Sequence, residues 1–174
     1  MFEVRWHGRG GQGSFTGAKL LGVASAIYDE RYAQAFPSFG PERRGAPVLG
    51  FNRLSDTPIT DRSEIEKCDR IVFLDETLFH EGYLNDLKSN AIILINSQKT
   101  FADPRVLSFD ATGLAIEVIG RPIANTAMLG FLAAVSVGEI SLEACLKAIE
   151  SDMKPSMAKT NGLLLQQAYD LGRA

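Results

Sequence analysis

The residues with the most chemical potential are the glycines of Gly8-Arg9-Gly10-Gly11-Gln12-Gly13, which match G-x-G-x-x-G. Glycine lets a backbone come close to a phosphate, and free N–H groups at a following helix start can bind the anion. The same pattern also serves as a tight strand–helix turn with no ligand. A dinucleotide site needs a further acid at the end of a second strand. Asp29 and Glu30 stand at nearly that distance, but they end a helical pattern and run into Arg31-Tyr32-Ala33-Gln34, which lacks a convincing strand. No Gly-Lys-Ser/Thr follows the glycines, so a P-loop is excluded.

Other groups are thinner in chemistry. Arg43 and Arg44 could clamp an anion or an acidic surface. Asp75, Asn96 and Ser97 directly follow apolar runs, where strand ends of a parallel sheet face a ligand crevice. Loop and cap chemistry explains them equally well. His7 and His80 have no visible triad partner, and there is no nucleophile elbow, zinc signature or paired-carboxylate motif. Cys68 and Cys145 lie too far apart in the chain for a disulfide framework or a self-held iron–sulfur cluster, which takes about four thiolates. The chain therefore carries no self-sufficient active site.

The elements that must position these residues follow from periodicity. Phe2 to His7 reads as a strand, Gly8 to Gly13 as a turn, and Phe15 to Tyr28 as a helix with an apolar stripe. Residues 34–47 carry three prolines and two glycines, which argue against a helix or a central strand. The segment reads as a long loop with an ordered contact surface made by Phe36, Phe39 and the arginines. Val48 to Leu54, Ile71 to Leu74, Ala91 to Ile95 and Val106 to Phe109 are strand candidates. Ser63 and Glu66 predict a short helix over 64–68, and residues 77–88 a crossover helix. Asn125 is placed to cap a helix running to about Val137, Ser141 the next, and a final helix covers roughly 157–171. Strands alternating with helices give an α/β class with a mostly parallel sheet and a Rossmann-like glycine-rich first turn.

The 174 residues, 45% hydrophobic and 22% charged, suit one globular domain spanning 1–174. A net charge of -3 argues against nucleic-acid binding, which draws on excess positive charge. The N-terminus lacks signal-peptide architecture, and no apolar run approaches the roughly 20 residues of a membrane span, so a cytoplasmic location is expected.

The glycine motif together with Tyr32-Ala33-Gln34-Ala35-Phe36-Pro37-Ser38-Phe39-Gly40-Pro41-Glu42-Arg43-Arg44-Gly45-Ala46-Pro47 resembles the gamma subunit of 2-oxoacid:ferredoxin oxidoreductases. That group includes the pyruvate and 2-oxoisovalerate enzymes. Asn96-Ser97 and Asn125-Thr126-Ala127-Met128-Leu129-Gly130 extend the resemblance over nearly the whole chain. It implies a mixed, curled α/β sheet and a subunit of a hetero-oligomer of anaerobic metabolism. Family enzymes oxidatively decarboxylate a 2-oxoacid, many of them to acyl-CoA and CO2, and pass electrons to ferredoxin or another acceptor. Thiamine diphosphate, Mg and the iron–sulfur clusters are expected on partner subunits, with the gamma subunit on the coenzyme A side. On this reading Gly8, Arg9, Gly10, Gly11, Gln12, Gly13, Asn96 and Ser97 contact coenzyme A. Phe36, Phe39, Glu42, Arg43 and Arg44 form an interface or composite site. A free-standing nucleotide-binding oxidoreductase domain and a pure assembly subunit are the alternatives.

Overall fold

A computed structural model of the chain describes residues 1–39 and 46–174. Its strands are β1 (Phe2–Arg9), β2 (Tyr32–Phe39), β3 (Pro47–Ser55), β4 (Cys68–Phe73), β5 (Leu87–Asn96) and β6 (Val106–Phe109). They form one six-stranded sheet in the order β2-β3-β1-β4-β5-β6. β4, β5 and β6 continue parallel from β1, while β3 pairs antiparallel with both β1 and β2. The sheet is thus mixed, with three of its five pairings parallel.

The side-chain alternation of β1 separates two faces. Phe2, Val4 and Trp6 join the larger apolar cluster, to which α1 (Ser14–Val23), α2 (Ala111–Ile119), α3 (Asn125–Ala134), α4 (Leu142–Asp152) and α5 (Pro155–Arg173) all contribute. A five-residue π segment, Ala24–Tyr28, continues α1. On the opposite face Phe51, Ile71, Phe73, Ile93 and Ile95 form a second cluster. Among the described residues no α-helix supplies a residue to it; Ile65, Phe79, Tyr83 and Leu84, from non-α segments, do. This explains the unbroken run Ile71-Val72-Phe73-Leu74, which is buried on both faces.

Several expectations from the sequence change here. Residues 32–39 form a strand despite Pro37. β2 lies at the sheet edge, where a missing N–H breaks no ladder bond, and Pro37 stands opposite Gly50 of β3. The expected helix over 64–68 is absent. The Ser63 N–H instead donates to the Asp61 carboxylate at 2.8 Å, and the Ser63 carbonyl accepts from Arg53 at 2.8 Å. The expected crossover helix over 77–88 is replaced by two 3-10 segments, Glu76–Leu78 and Glu81–Asp86, and β5 already begins at Leu87. Phe79, Tyr83 and Leu84 pack down onto the second face, which sets the chain path better than helix periodicity. Helix α2 escaped the sequence reading although its signals are present. The Asp110 side chain accepts from the Gly113 N–H at 2.7 Å, and Gly120 ends the helix at φ 68°.

Ser141 caps α4 as the sequence suggests, accepting from the Ala144 N–H at 3.1 Å. Asn125 is the first residue of α3 rather than its cap. The second face also buries charge. Arg53, 1% exposed, donates to Glu3 at 2.9 Å; Lys88 bridges Glu3 at 2.8 Å and Asp69 at 2.6 Å; Arg5 pairs with Asp86 at 2.5 Å. His7 stacks on Phe73 with centroids 4.4 Å apart and meets the Tyr83 ring edge-on, and its Nε2 has no hydrogen-bond partner. Burial, reinforced by the charge of Arg5 and by His80, lowers its pKa to about 3.

Two predictions follow from this packing. A Cβ at Gly130 of α3 would stand 2.3 Å from the Leu165 carbonyl of α5, backbone that has no room to give. Gly130→Ala is therefore expected to lower stability by about 1–3 kcal/mol in urea denaturation. For His7, the unfolded chain binds a proton near pH 6.5 that the folded chain refuses until about pH 3. Stability should fall as pH drops from 6.5 toward 3, and His7→Phe should flatten that limb in a pH series of urea midpoints. An unchanged acid limb would refute the assignment.

Candidate functional site

The glycine turn leaves β1 at the sheet's carboxyl edge and enters α1. Gly11 has φ +90° and Gly13 φ +82°, conformations that side-chain-bearing residues rarely adopt. Gly13 occupies the N-cap position of α1 and supplies no side-chain cap. The first intrahelical bond runs from the Gly17 N–H to the Gly13 carbonyl at 2.9 Å. The Ser14 hydroxyl donates to the Val48 carbonyl at 3.1 Å, so it turns to β3 rather than back over the helix start. The first-turn amides of α1 thus have no side-chain cap and carry the positive end of the helix dipole.

Asp75, just past β4, holds this turn in place. One of its oxygens accepts from Arg9 Nε at 3.0 Å and Gln12 Nε2 at 3.1 Å. The other accepts from the Thr77 N–H at 2.9 Å and the Thr77 hydroxyl at 2.6 Å. Gln12 Oε1 in turn accepts from the Arg9 N–H at 2.7 Å, and Arg9 Nη2 donates to the Thr77 hydroxyl at 2.8 Å. Partial burial pushes the Asp75 carboxyl up, but the Thr77 and Gln12 hydrogen bonds and the Arg9 charge outweigh it and hold the pKa below its ordinary value. Arg9 and Gln12 therefore bond within the chain. The sequence placed Asp75 at a strand end but did not show that it organises the glycine turn.

Asn96 and Ser97 follow β5 on the same edge. The Asn96 side chain donates to the Leu74 carbonyl at 3.0 Å and to Thr112 Oγ1 at 2.8 Å, and accepts from the Thr112 N–H at 3.1 Å. It ties β4, β5 and α2 together. The Ser97 hydroxyl donates to Glu76, which also pairs with Lys99 at 2.5 Å. From the other side Asn125 meets the turn. Its Nδ2 donates to the Gly13 carbonyl at 3.5 Å, and a Cβ on Gly13 would stand 2.6 Å from that nitrogen.

Of the expected interface group, only Phe36 lies wholly within the described residues. Phe36 is partly buried on the second face, stacked on Phe51 at 5.2 Å with Arg53 Cζ 5.7 Å from its ring centre. It supports the sheet as well as facing outward. Glu42, Arg43, Arg44 and the side chain of Phe39 lie outside the described residues.

This edge can bind an anion through backbone amides, while its side chains among the described residues offer no acid–base or nucleophilic chemistry. Asp75 is committed to hydrogen bonds, and His7 is buried and neutral. Burial pushes both cysteine thiols up to about 12, so neither is a nucleophile. Among the described residues no three His, Cys, Asp or Glu side chains gather to hold a metal. The dinucleotide arrangement also lacks its geometry. The strand after α1 is the antiparallel edge strand β2, separated from β1 by β3, so Asp29 and Glu30 do not end a neighbouring parallel strand.

If Asp75 sets the turn, Asp75→Ala should speed amide hydrogen exchange at Gly10 and Gln12, which bond the Ala46 and Arg9 carbonyls, and leave the Ser141-capped start of α4 unchanged. Because its pKa is depressed, Asp75 stabilises the turn above the ordinary carboxylate range and releases it as pH falls through the lowered value. The same amides should therefore lose protection in acid in the wild type. Equal protection in variant and wild type would overturn the assignment.

Comparison with known proteins places this architecture. Residues 3–171 match the family described as pyruvate ferredoxin/flavodoxin oxidoreductase. The pyruvate synthase subunit PorC of Methanothermobacter thermautotrophicus is 41% identical, over 98% of this chain and 95% of its own. The pyruvate/ketoisovalerate oxidoreductases common subunit gamma of Thermococcus kodakarensis is 39% identical, over 98% and 96%. The crystal structure of pyruvate oxidoreductase subunit PORC from Thermotoga maritima superimposes with a TM-score of 0.84 at 36% identity, covering 97% of this chain and 95% of that one. The 2-oxoglutarate:ferredoxin oxidoreductase of Magnetococcus marinus shares the fold over 31% of its longer chain, with a TM-score of 0.81 at 15% identity. With a family match over nearly its whole length, and PorC and gamma-subunit relatives of similar length, the chain belongs to the pyruvate ferredoxin/flavodoxin oxidoreductase family, as a gamma-type subunit.

Proposed function

We propose that the chain works within a multi-subunit 2-oxoacid:ferredoxin oxidoreductase, where its glycine turn helps bind coenzyme A and its surfaces help assemble the complex. The observation that carries this reading is the turn itself. Gly11 and Gly13 hold left-handed backbone, no side chain caps α1, and Asp75 braces the loop from behind. A coenzyme A phosphate suits such a helix start. The Magnetococcus relative is described with 2-oxoglutarate, coenzyme A and succinyl-CoA bound, which supports the same ligand class here. Arg9, Gln12, Asn96 and Ser97 brace the backbone of this edge and, on this reading, also contact coenzyme A there.

Thiamine diphosphate, Mg and the iron–sulfur clusters belong on partner subunits, and electrons leave the complex to ferredoxin or another acceptor. Both cysteines are buried on separate elements, Cys68 at the start of β4 and Cys145 within α4. Phe36 and Phe39, with Glu42, Arg43 and Arg44, form an intersubunit or composite surface on this reading. Among the described residues no helix is long and apolar enough to cross a membrane, and a cytoplasmic complex is part of the proposal. A pure assembly role is the second reading. It draws on the internal bonding of Arg9 and Gln12, which also suits a turn that binds nothing.

The test is Gly11→Val in the assembled complex. A Cβ there meets no atom within 4 Å, so the substitution acts through its positive φ and by filling the space above the turn. The expected result is a raised KM for coenzyme A, by tenfold or more, with the complex intact. Unchanged coenzyme A kinetics would favour the assembly reading. The chain expressed alone, reconstituted with iron, sulfide and thiamine diphosphate, is expected to show neither cluster absorbance nor 2-oxoacid-dependent dye reduction. Turnover by the lone chain would refute the division of labour.

A further inference from the structure

A cleft of about 390 Å³ opens beside the glycine turn, between the α2–α3 connection and the α4–α5 junction. Its apolar walls are Ile119 and Ile123 on one side and Met153 and Met157 on the other. Ile123 is 43% exposed and Met157 50%, and Ile116 on the neighbouring turn of α2 is 53% exposed. Large side chains facing water across one groove are costly for a free surface and typical of an interface. Methionine and arginine are both enriched at such interfaces.

The charge of the cleft is one-sided. Arg121 lines it, and its guanidinium has no partner among the described residues. No acidic side chain lines it. α1, α3 and α5 all begin at its walls, at Thr16, at Asn125 and Thr126, and at Met157, and none of the three helices has a side-chain cap bond. Their dipoles add positive potential to that of Arg121. A positive, apolar cleft on a chain of net charge -3 points to an acidic, apolar occupant.

We propose that this cleft is a docking site for a segment of a partner subunit that carries a large apolar side chain flanked by a carboxylate. The apolar group seats between Ile123 and Met157, and the carboxylate pairs with Arg121. The inference rests on the gamma-type subunit assignment and is independent of coenzyme A at the glycine turn.

The experiment co-expresses the chain with its partner subunits and measures its incorporation by native mass and by an apparent Kd at several salt concentrations. Ile123→Asp with Met157→Asp should weaken incorporation at least tenfold. Arg121→Ala should weaken it less and flatten its salt dependence. Leu163→Asp, at a 52% exposed position of α5 away from the cleft lining, should have no effect. Normal incorporation of the cleft variants overturns the proposal, as does an equal loss with Leu163→Asp. Normal incorporation with a raised KM for coenzyme A also overturns it, since the cleft then holds a small anion. Loss of self-association with normal incorporation does so too, since the occupant is then a second copy. Gly11→Val in the same assay separates the two sites: it should change coenzyme A kinetics and leave incorporation as in wild type.

Discussion

Strand β1 is paired along both edges, antiparallel to β3 and parallel to β4, and the position of the glycine turn depends on this double pairing. Val4, Arg5, Trp6 and His7 face partners in both neighbours at once. The chain therefore leaves β1 at a fixed point on the sheet's carboxyl edge, where β4 and β5 also end. One face of β1 then locks α1 in place. The Trp6 indole donates to Asn52 at 3.0 Å, and Asn52 donates to the Ala18 carbonyl of α1 at 2.7 Å. Both side chains are fully buried, and the bonds satisfy groups that would otherwise be costly to bury.

The other face of β1 is built on a different balance. Glu3, Arg5 and His7 lie where a helix-covered sheet would carry aliphatics. Ion pairs to Arg53, Lys88 and Asp86 meet the desolvation cost there. Covered by 3-10 segments and loops rather than α-helices, this face gains less from apolar burial and more from specific partners. His7 forms no ion pair there; it is kept neutral against aromatic rings with Nε2 unbonded, as is Arg5 Nε.

Two adjacent regions therefore divide the work at the carboxyl edge. The glycine turn offers backbone amides braced by Asp75, and the neighbouring cleft offers apolar walls and Arg121. Among the described residues neither holds an activated nucleophile or a free general base.

Much of this was legible along the chain. β1, the glycine turn, β3, the buried runs of β4 and β5, and the Ser141 cap of α4 follow from local periodicity and cap chemistry, which act over a few residues. The distinctive segment around Tyr32–Pro47 carried the family resemblance. Three things were not legible, because each depends on what lies across the sheet. Pro37 fits a strand only because β2 is an edge. Residues 76–86 gave up helix for 3-10 turns because Phe79, Tyr83 and Leu84 reach the second apolar face. Arg9, Gln12, Asn96 and Ser97 stand at the strand ends as their positions suggest, but that Asp75, Thr112 and Glu76 tie them to one another is decided by tertiary packing. Sequence determined which groups stand at the strand ends; only the fold decided which of them still face outward, because a side chain bonds to whatever acceptor the folded chain places beside it.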